Sequence, residues 1–364
     1  MGSQDIVDAG PDTEVDAPPD APPTCAPGFL NLCAHAAGTA PLMVSDAKEI
    51  NTDTEPSCVV IAQTSGLEIC AMFYSSIDIQ NAGSVLAYGG RALALVSESS
   101  ILISGDLDVS SRRTRVMEKR GGAGHSGNTC AFDAQPENDG GGGGGAAGGT
   151  FATQGGVGGK GDLNNNNGNG GDATGGTPGP ALAQPAGLLR GGCAGQPGGN
   201  SSTTGGAPGL GGGAVYLVAK TSLVVSGNVY ASGAGGSGGP SPRAAGGGGG
   251  SGGMIVLEAA SVTVSGRVLA TGGGGGEGAN VNSSGDSGDD ATTVAAAPGG
   301  SGTPSGGNGG NGATTAAGEL VDPGPGLDDD GGGGGGGGGN GFILVKSPNR
   351  QLGGVTSPVP VPVL

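Results

Sequence analysis

SGGMIVLEAASVTVSGRVLATGGGGG, residues 251–276, reads as short strands set between glycine runs, and the chain repeats it. An earlier copy is GGGAVYLVAKTSLVVSGNVYASG (211–233) and a third is GGRALALVSESSILISGDLDVSS (89–111). A worn copy, GNGFILVKS, starts at Gly339. Aligned on the pairs Ser104-Gly105, Ser226-Gly227 and Ser265-Gly266, the copies carry three registers of alternating apolar residues. Leu93 and Leu95, Val215 and Leu217, Ile255 and Leu257, and Phe342 and Leu344 form the first. Ile101 and Ile103, Leu223 and Val225, and Val262 and Val264 form the second; Leu107 and Val109, Val229 and Ala231, and Val268 and Ala270 form the third. Alternation with a period of two marks strands with one buried face. The 251–276 copy is one residue shorter between its first two strands, which a turn absorbs and a helix would not. Three such strands per repeat, each hiding its inner face only against neighbouring repeats, predict an all-β fold, a right-handed parallel β-helix. The alternative is a β-sandwich with disordered loops; glycine inserts of such different lengths fit poorly between paired hairpin strands.

The 364 residues include 89 glycines, 24 prolines, 5 phenylalanines, 4 tyrosines and no tryptophan. A glycine and proline content this high usually signals low complexity, but here the glycine is concentrated between the strand blocks, so the core is expected to be narrow and aliphatic. A formal charge of −17 argues against nucleic acid and anionic lipid as partners, since both would repel the chain. No stretch approaches the roughly 20 apolar residues of a transmembrane helix.

The organisation follows from these shifts in composition. Residues 1–24 form an Asp/Pro-rich tether with little to bury; Met1-Gly2-Ser3 ahead of it reads as a cloning scar on a mature N-terminus. A single domain spans 25–364. Within it, 25–57 is read as an N-terminal cap covering the open sheet end, and 58–114 as the N-terminal coils, where Leu67 and Ile69, Ile77 and Ile79, and Val85 and Ala87 make one coil ahead of Leu93. Glycine-rich inserts follow at 115–212, 234–252 and 272–340, alternating with coils at 213–233 and 253–271; a C-terminal strand and tail occupy 341–364. Loops this long are unusual in compact domains. Oligoglycine can take an extended helix of three residues per turn related to polyproline II, and glycine alone lets such strands pack on all sides. Composition leaves an ordered glycine layer and disorder equally open for the first and third inserts. Strict G-X-Y periodicity is missing, which excludes collagen.

Cys25, Cys33, Cys58, Cys70, Cys130 and Cys193 form an even set without CxxC spacing, which favours structural disulfides in an exported protein over a zinc site. Proximity favours Cys25–Cys33 and Cys58–Cys70, leaving Cys130–Cys193 to clamp the first insert.

Chemistry-bearing patterns are sparse. GGKGDLNNNNGNGGDA (158–173) has the flavour of a calcium-binding nonapeptide, but Asp162 falls one place early and the motif does not repeat. Asp289-Asp290 and Asp328-Asp329-Asp330 offer oxygen ligands of the kind calcium takes, without a spacing rule; solvated acidic loops are the simpler reading. Asp106 and Asp108, followed by Arg112, Arg113 and Arg115, are the one concentration of opposed charges. Their counterparts in the next copies are Asn228, Tyr230, Arg267 and Leu269, so no acidic ladder forms. His35 and His125 lack nucleophile partners, GHSG (124–127) lacks the strand-to-helix setting of a nucleophile elbow, and no phosphate loop occurs. Ala94, Val96, Tyr216, Val218, Val256 and Glu258 are expected to point outward and form no acid–base constellation. No catalytic, metal or cofactor residues are assigned.

The run LALVSESSILISGDLDVSSRR, then LLRGGCAG, GGGAVYLVA, LVVSGNVYASGAGG, SGGMIVLEA and VTVSGRVLATGGGGG, resembles the glycine-rich surface lipoproteins of myxobacteria and their relatives. The likeness runs from Cys25 to the end and includes the Asp/Pro tether. It implies export to the cell surface, outer membrane or extracellular space, with a lipid anchor upstream of residue 1. It carries no catalytic residues. The expected function is a surface structural or adhesive protein that binds a glycan or matrix, or itself, without catalysis. The alternatives are a β-helix carbohydrate-active lyase or hydrolase, and an ice- or surface-binding protein.

Overall fold

The computed structural model describes residues 28–32, 35–64, 67–125, 130–162, 172–183, 188–303, 306–313 and 331–363. Among them the regular secondary structure is almost entirely β, and each repeat contributes one strand to each of three sheets. Sheet I stacks Glu68–Tyr74, Ala92–Ser97, Ala214–Ala219, Met254–Glu258 and Phe342–Lys346, with Val59–Ala62 and Val361–Pro362 at its edges. Sheet II stacks Leu42–Val44, Ile77–Ile79, Ser100–Ile103, Ser222–Val225, Ser261–Val264 and Asn349–Leu352. Sheet III stacks Ala47–Asn51, Ser84–Tyr88, Asp106–Asp108, Asn228–Tyr230, Arg267–Leu269 and Val355–Ser357. Pairing in these stacks is parallel, except that Val59–Ala62 runs antiparallel to Glu68–Tyr74.

The register puts like residues over like. Val215 pairs with Leu93 and Ile255, Val225 with Ile103 and Val264, and Val229 with Leu107 and Val268. All of these side chains lie in one continuous aliphatic core. The missing residue of the 251–276 copy is absorbed in the turn, for Val218 is level with Glu258 and Ser222 with Ser261. The Ser-Gly pairs mark the corner between sheets II and III. There a Cβ on Gly227 would lie 2.1 Å from the Gly105 carbonyl oxygen, and one on Gly266 1.9 Å from that of Gly227. The rungs touch backbone to backbone at this corner, and a side chain would force them apart.

Two expectations about side-chain direction and one about exposure are corrected. At the last rung Ile343 and Val345, not Phe342 and Leu344, continue the columns of Ile255 and Leu257. At the first, Cys70 and Met72 face the core, and Ile69 points the other way. The reason is common to both: sheet I is buried on both faces. Ala94, Tyr216 and Val256, expected at the surface, lie in a second apolar cluster with Phe29, Leu30, Phe151, Leu189, Phe342 and Leu344. AVYLVA, MIVLE and FILVK are therefore nearly unbroken apolar runs, as strands covered on both sides are, and alternation in them gives no direction. SLVV and SVTV of sheet II do alternate between buried and half-buried residues.

Segments assigned to the cap and the tail enter the sheets. Leu42–Val44 and Ala47–Asn51 are the first strands of sheets II and III, and Asn349–Leu352 and Val355–Ser357 are the last.

Each insert leaves after a strand of sheet III and returns before a strand of sheet I. Its described glycine-rich stretches are ordered, running extended beside one another with hydrogen bonds at every third residue. The stretch 243–253 lies at the centre. Its Gly246, Gly249 and Gly252 amides donate to Gly333, Gly336 and Gly339; Gly247, Gly250 and Gly253 donate to Ser237, Ala234 and Ala231; Ala245, Gly248 and Ser251 donate to Gly199, Gln196 and Cys193. Its carbonyls accept in the same rhythm from Gly143, Ala146 and Gly149, from Gly206, Gly209 and Gly212, and from Gly273, Gly276 and Ala279. A single strand thus has hydrogen-bonded neighbours on six sides, each named by one of these sets. Buried amides need partners, and here they find them with almost no side chains in the way.

Disulfides join Cys58 to Cys70, on the antiparallel pair at the edge of sheet I, and Cys130 to Cys193 across the first insert. Cys25 and Cys33 lie outside the described residues.

Two stability predictions follow from this packing. A Cβ at Gly250 would lie 2.0 Å from the Leu210 carbonyl oxygen, whereas one at Gly353 meets nothing within 4 Å. Gly250→Ala is expected to cost at least the ~1–3 kcal/mol of an overpacked core and Gly353→Ala about nothing, read as shifts in Tm. Equal shifts would mean that the central strand is not packed as described. Replacing Cys130 and Cys193 together by serine opens a connection of 63 residues. A loss on the order of 4 kcal/mol is expected, and unchanged chemical denaturation would refute the clamp.

Candidate functional site

The outer face of sheet III carries the charges singled out in the sequence. Strand alternation aims Asp106 and Asp108 away from the aliphatic core, which Leu107 between them enters. Register then aligns Ser84, Asp106, Asn228 and Arg267 in one outer column and Leu86, Asp108, Tyr230 and Leu269 in the next. After Val109 the chain turns back over this face, bringing Arg112 and Arg115 onto Asp108. Together Ser84, Leu86, Asp106, Asp108, Arg112, Arg115 and Tyr230 line an open depression of about 300 Å³.

The carboxylates here are not equivalent. Asp108 Oδ2 accepts from Arg112 Nη2 at 3.1 Å and from Arg115 Nη2, while Oδ1 accepts the Ser110 amide at 2.8 Å. The three charged side chains are only 15–17% exposed, so this ion triad is much less screened than a surface pair. Burial pulls the Arg115 guanidinium below its ordinary pKa, opposed by the charge of Asp108. Asp106 is exposed and accepts one hydrogen bond from Asn228 Nδ2 at 2.7 Å. Tyr230 is held above the ordinary tyrosine pKa, first by burial and then by the Asp106 charge.

Other carboxylates hold backbone. Asp290 accepts the amides of Arg113 at 2.9 Å, Thr114 at 3.2 Å and Gly235 at 3.0 Å, tying the turn after sheet III to the glycine strands. Glu277 is fully buried in the glycine layer and accepts the amides of Asp286, Gly302 and Thr303 at 2.6–3.0 Å. Glu258, on sheet I, takes the Tyr216 hydroxyl at 2.6 Å and the Phe29 amide at 2.7 Å, with Lys346 Nζ at 3.6 Å. It fastens the segment 28–32 across the outer face of sheet I.

The remaining sequence candidates are scattered. His125 Nδ1 contacts the Gly122 and Gly89 carbonyls, and His35 stacks near the Phe73 ring. Asp289 donates its amide to Pro298. Asp328 to Asp330, residues 163–171 and the second half of GHSG (126–127) lie outside the described residues. The roles of Glu258 and Glu277 went unread in the sequence. The signal for Glu277 was there: a lone charge in GGGGGEGAN, where every neighbour offers an amide. Comparison of the chain with protein-family models, with curated protein sequences and with solved structures finds no match in any of the three.

A pH prediction attaches to Tyr216. Burial, reinforced by the charge and hydrogen bond of Glu258, raises its pKa. The neutral phenol is therefore favoured in the folded state. Its contribution is complete below the unfolded value near 10 and is lost as pH rises beyond it, where the unfolded chain gives up its proton first. Tyr216→Phe is expected to cost about 1 kcal/mol at neutral pH and to flatten the decline of stability above about pH 10. Urea denaturation across that range measures both; parallel alkaline slopes for wild type and variant would contradict the assignment.

Proposed function

We propose that this chain is an exported, non-catalytic structural or adhesive protein. In this reading the three sheets wind as a right-handed parallel β-helix, and the glycine layer is a polyglycine II bundle bracing it along one side. The resemblance to glycine-rich surface lipoproteins, the acidic tether and the two disulfides are in keeping with export to a cell surface or extracellular setting. No helix among the described residues is long and apolar enough to cross a membrane.

The observation that carries the non-catalytic reading is how the well-held carboxylates are used. Asp108, Asp290, Glu277 and Glu258 each accept backbone amides, beside arginines or a hydroxyl in some cases. General acid–base chemistry needs a titratable pair fixed in geometry with protons free to move. Here the fixed carboxylates are saturated, and Asp106, the exposed one in the depression, has an amide rather than an acid beside it.

The test is direct. Incubation with acidic and neutral polysaccharides is expected to release neither reducing ends nor unsaturated products, while the folded chain stays bound to an insoluble glycan or matrix. Product release that disappears in the Asp106→Ala/Asp108→Ala double variant would replace this reading with an enzyme.

A further inference from the structure

We propose that the depression on the outer face of sheet III is a binding site for a neutral oligosaccharide. A pyranose ring presents C–H bonds on its faces and hydroxyls at its rim, so a site for it needs apolar or aromatic surface beside planar polar groups. Sheet III supplies both in adjacent columns. Leu86 and the Tyr230 ring lie in one, on either side of Asp108; Ser84 and Asp106 lie in the other, which Asn228 and Arg267 continue, one residue per rung. With rungs roughly 4.8 Å apart, the polar column runs about 14 Å, a length suited to several sugar units in a row.

The polar groups are held in place before any ligand arrives. Asn228 Nδ2 is fixed on Asp106 at 2.7 Å, leaving the amide oxygen to accept and the carboxylate to take further hydroxyls. Arg267 stands level with Asn228 on the next rung, and its charge opposes the effect of burial on the Tyr230 phenol. Arg112 and Arg115 wall the depression; Asp108 meets one of their two charges and Asp106 offsets the other, so they add shape and donors rather than a net field.

Charge selects the class of sugar. The charged side chains that line the depression, Asp106, Asp108, Arg112 and Arg115, sum to zero, and the chain as a whole carries −17. An acidic polysaccharide would be repelled by that field, whereas a neutral one is indifferent to it.

This inference rests on the non-catalytic reading only in that a sugar held here stays whole. The test is calorimetric titration of the full chain with cellohexaose, xylohexaose and maltohexaose, and with hexagalacturonate as the acidic arm. At least one neutral hexasaccharide is expected to bind. Tyr230→Ala and Asp106→Ala are each expected to weaken it about tenfold, or ~1.4 kcal/mol. Tyr230→Phe, which keeps the ring, should retain most of the affinity, and the exposed Arg267→Ala gives a further variant that leaves the core untouched. Absence of binding by every neutral hexasaccharide, binding of hexagalacturonate alone, or affinity unmoved in all the folded variants would overturn the site. Chromatography of the same samples separates the two claims: shortened sugars would support the site and sink the non-catalytic reading.

Discussion

The fold depends on how backbone amides are satisfied where there are almost no side chains. A chain this poor in large residues cannot fill a wide hydrophobic core, and its aliphatic columns are narrow. In the glycine strands the same problem is met differently. With hydrogen bonds at every third residue, successive amides and carbonyls leave the strand in three directions, and each strand can be enclosed by others. Net stabilisation per hydrogen bond is modest, about 1 kcal/mol, and glycine gives up more backbone freedom than any other residue on folding. The layer is therefore expected to hold only as a cooperative whole, tied at its edges to sheets that bury apolar area and clamped within the first insert by Cys130–Cys193.

What could be read in the sequence was whatever repeats with an asymmetric environment. Ile103, Val225 and Val264 alternate with half-buried or exposed neighbours, so the sequence revealed both the strand and its inner face. The Ser-Gly pairs aligned the copies; that they mark a corner, where rung-to-rung contact excludes a side chain, is seen only in the fold. The glycine runs look featureless, since their three-residue rhythm resides in the hydrogen bonds and not in the letters. Phe342 and Ile69 were assigned the wrong face because FILVK and EICAMF are covered on both sides. Asn349–Leu352 and Val355–Ser357 escaped notice because the terminal rung is mostly exposed and has no apolar alternation to display. The concentration of Asp and Arg at 106–115 was visible, but not that Arg112 and Arg115 would fold back onto Asp108; that depends on a turn with no repeat to predict it.

The acidic residues divide by location. In the glycine layer and at its junctions, Glu277 and Asp290 collect amides that the three-residue pattern leaves over where strands turn. On sheet I, Glu258 collects a hydroxyl and the amide of a strap. Carboxylates used this way act as fasteners, and a backbone rich in unhindered N–H groups is the setting in which they work best. Such a role asks for one acceptor at one place, which is why Glu277 and Glu258 stand alone and why, of Asp289 and Asp290, the side chain of Asp290 gathers the amides.

The three-residue hydrogen-bond rhythm also limits how such a chain can change length. Removing one residue from 245–252 would rotate everything beyond it by a third of a turn, so that amides now serving one neighbour would face another. Removing three would keep every direction and shorten the strand by one step. Whole out-and-back excursions, such as 231–240 with 243–253, add a pair of strands and return the chain to the next rung of sheet I. Insertions and deletions compatible with this architecture are thus quantised, in triplets along a strand and in pairs of strands across the bundle. Register, as much as the glycines themselves, is what a lineage of such chains would have to preserve.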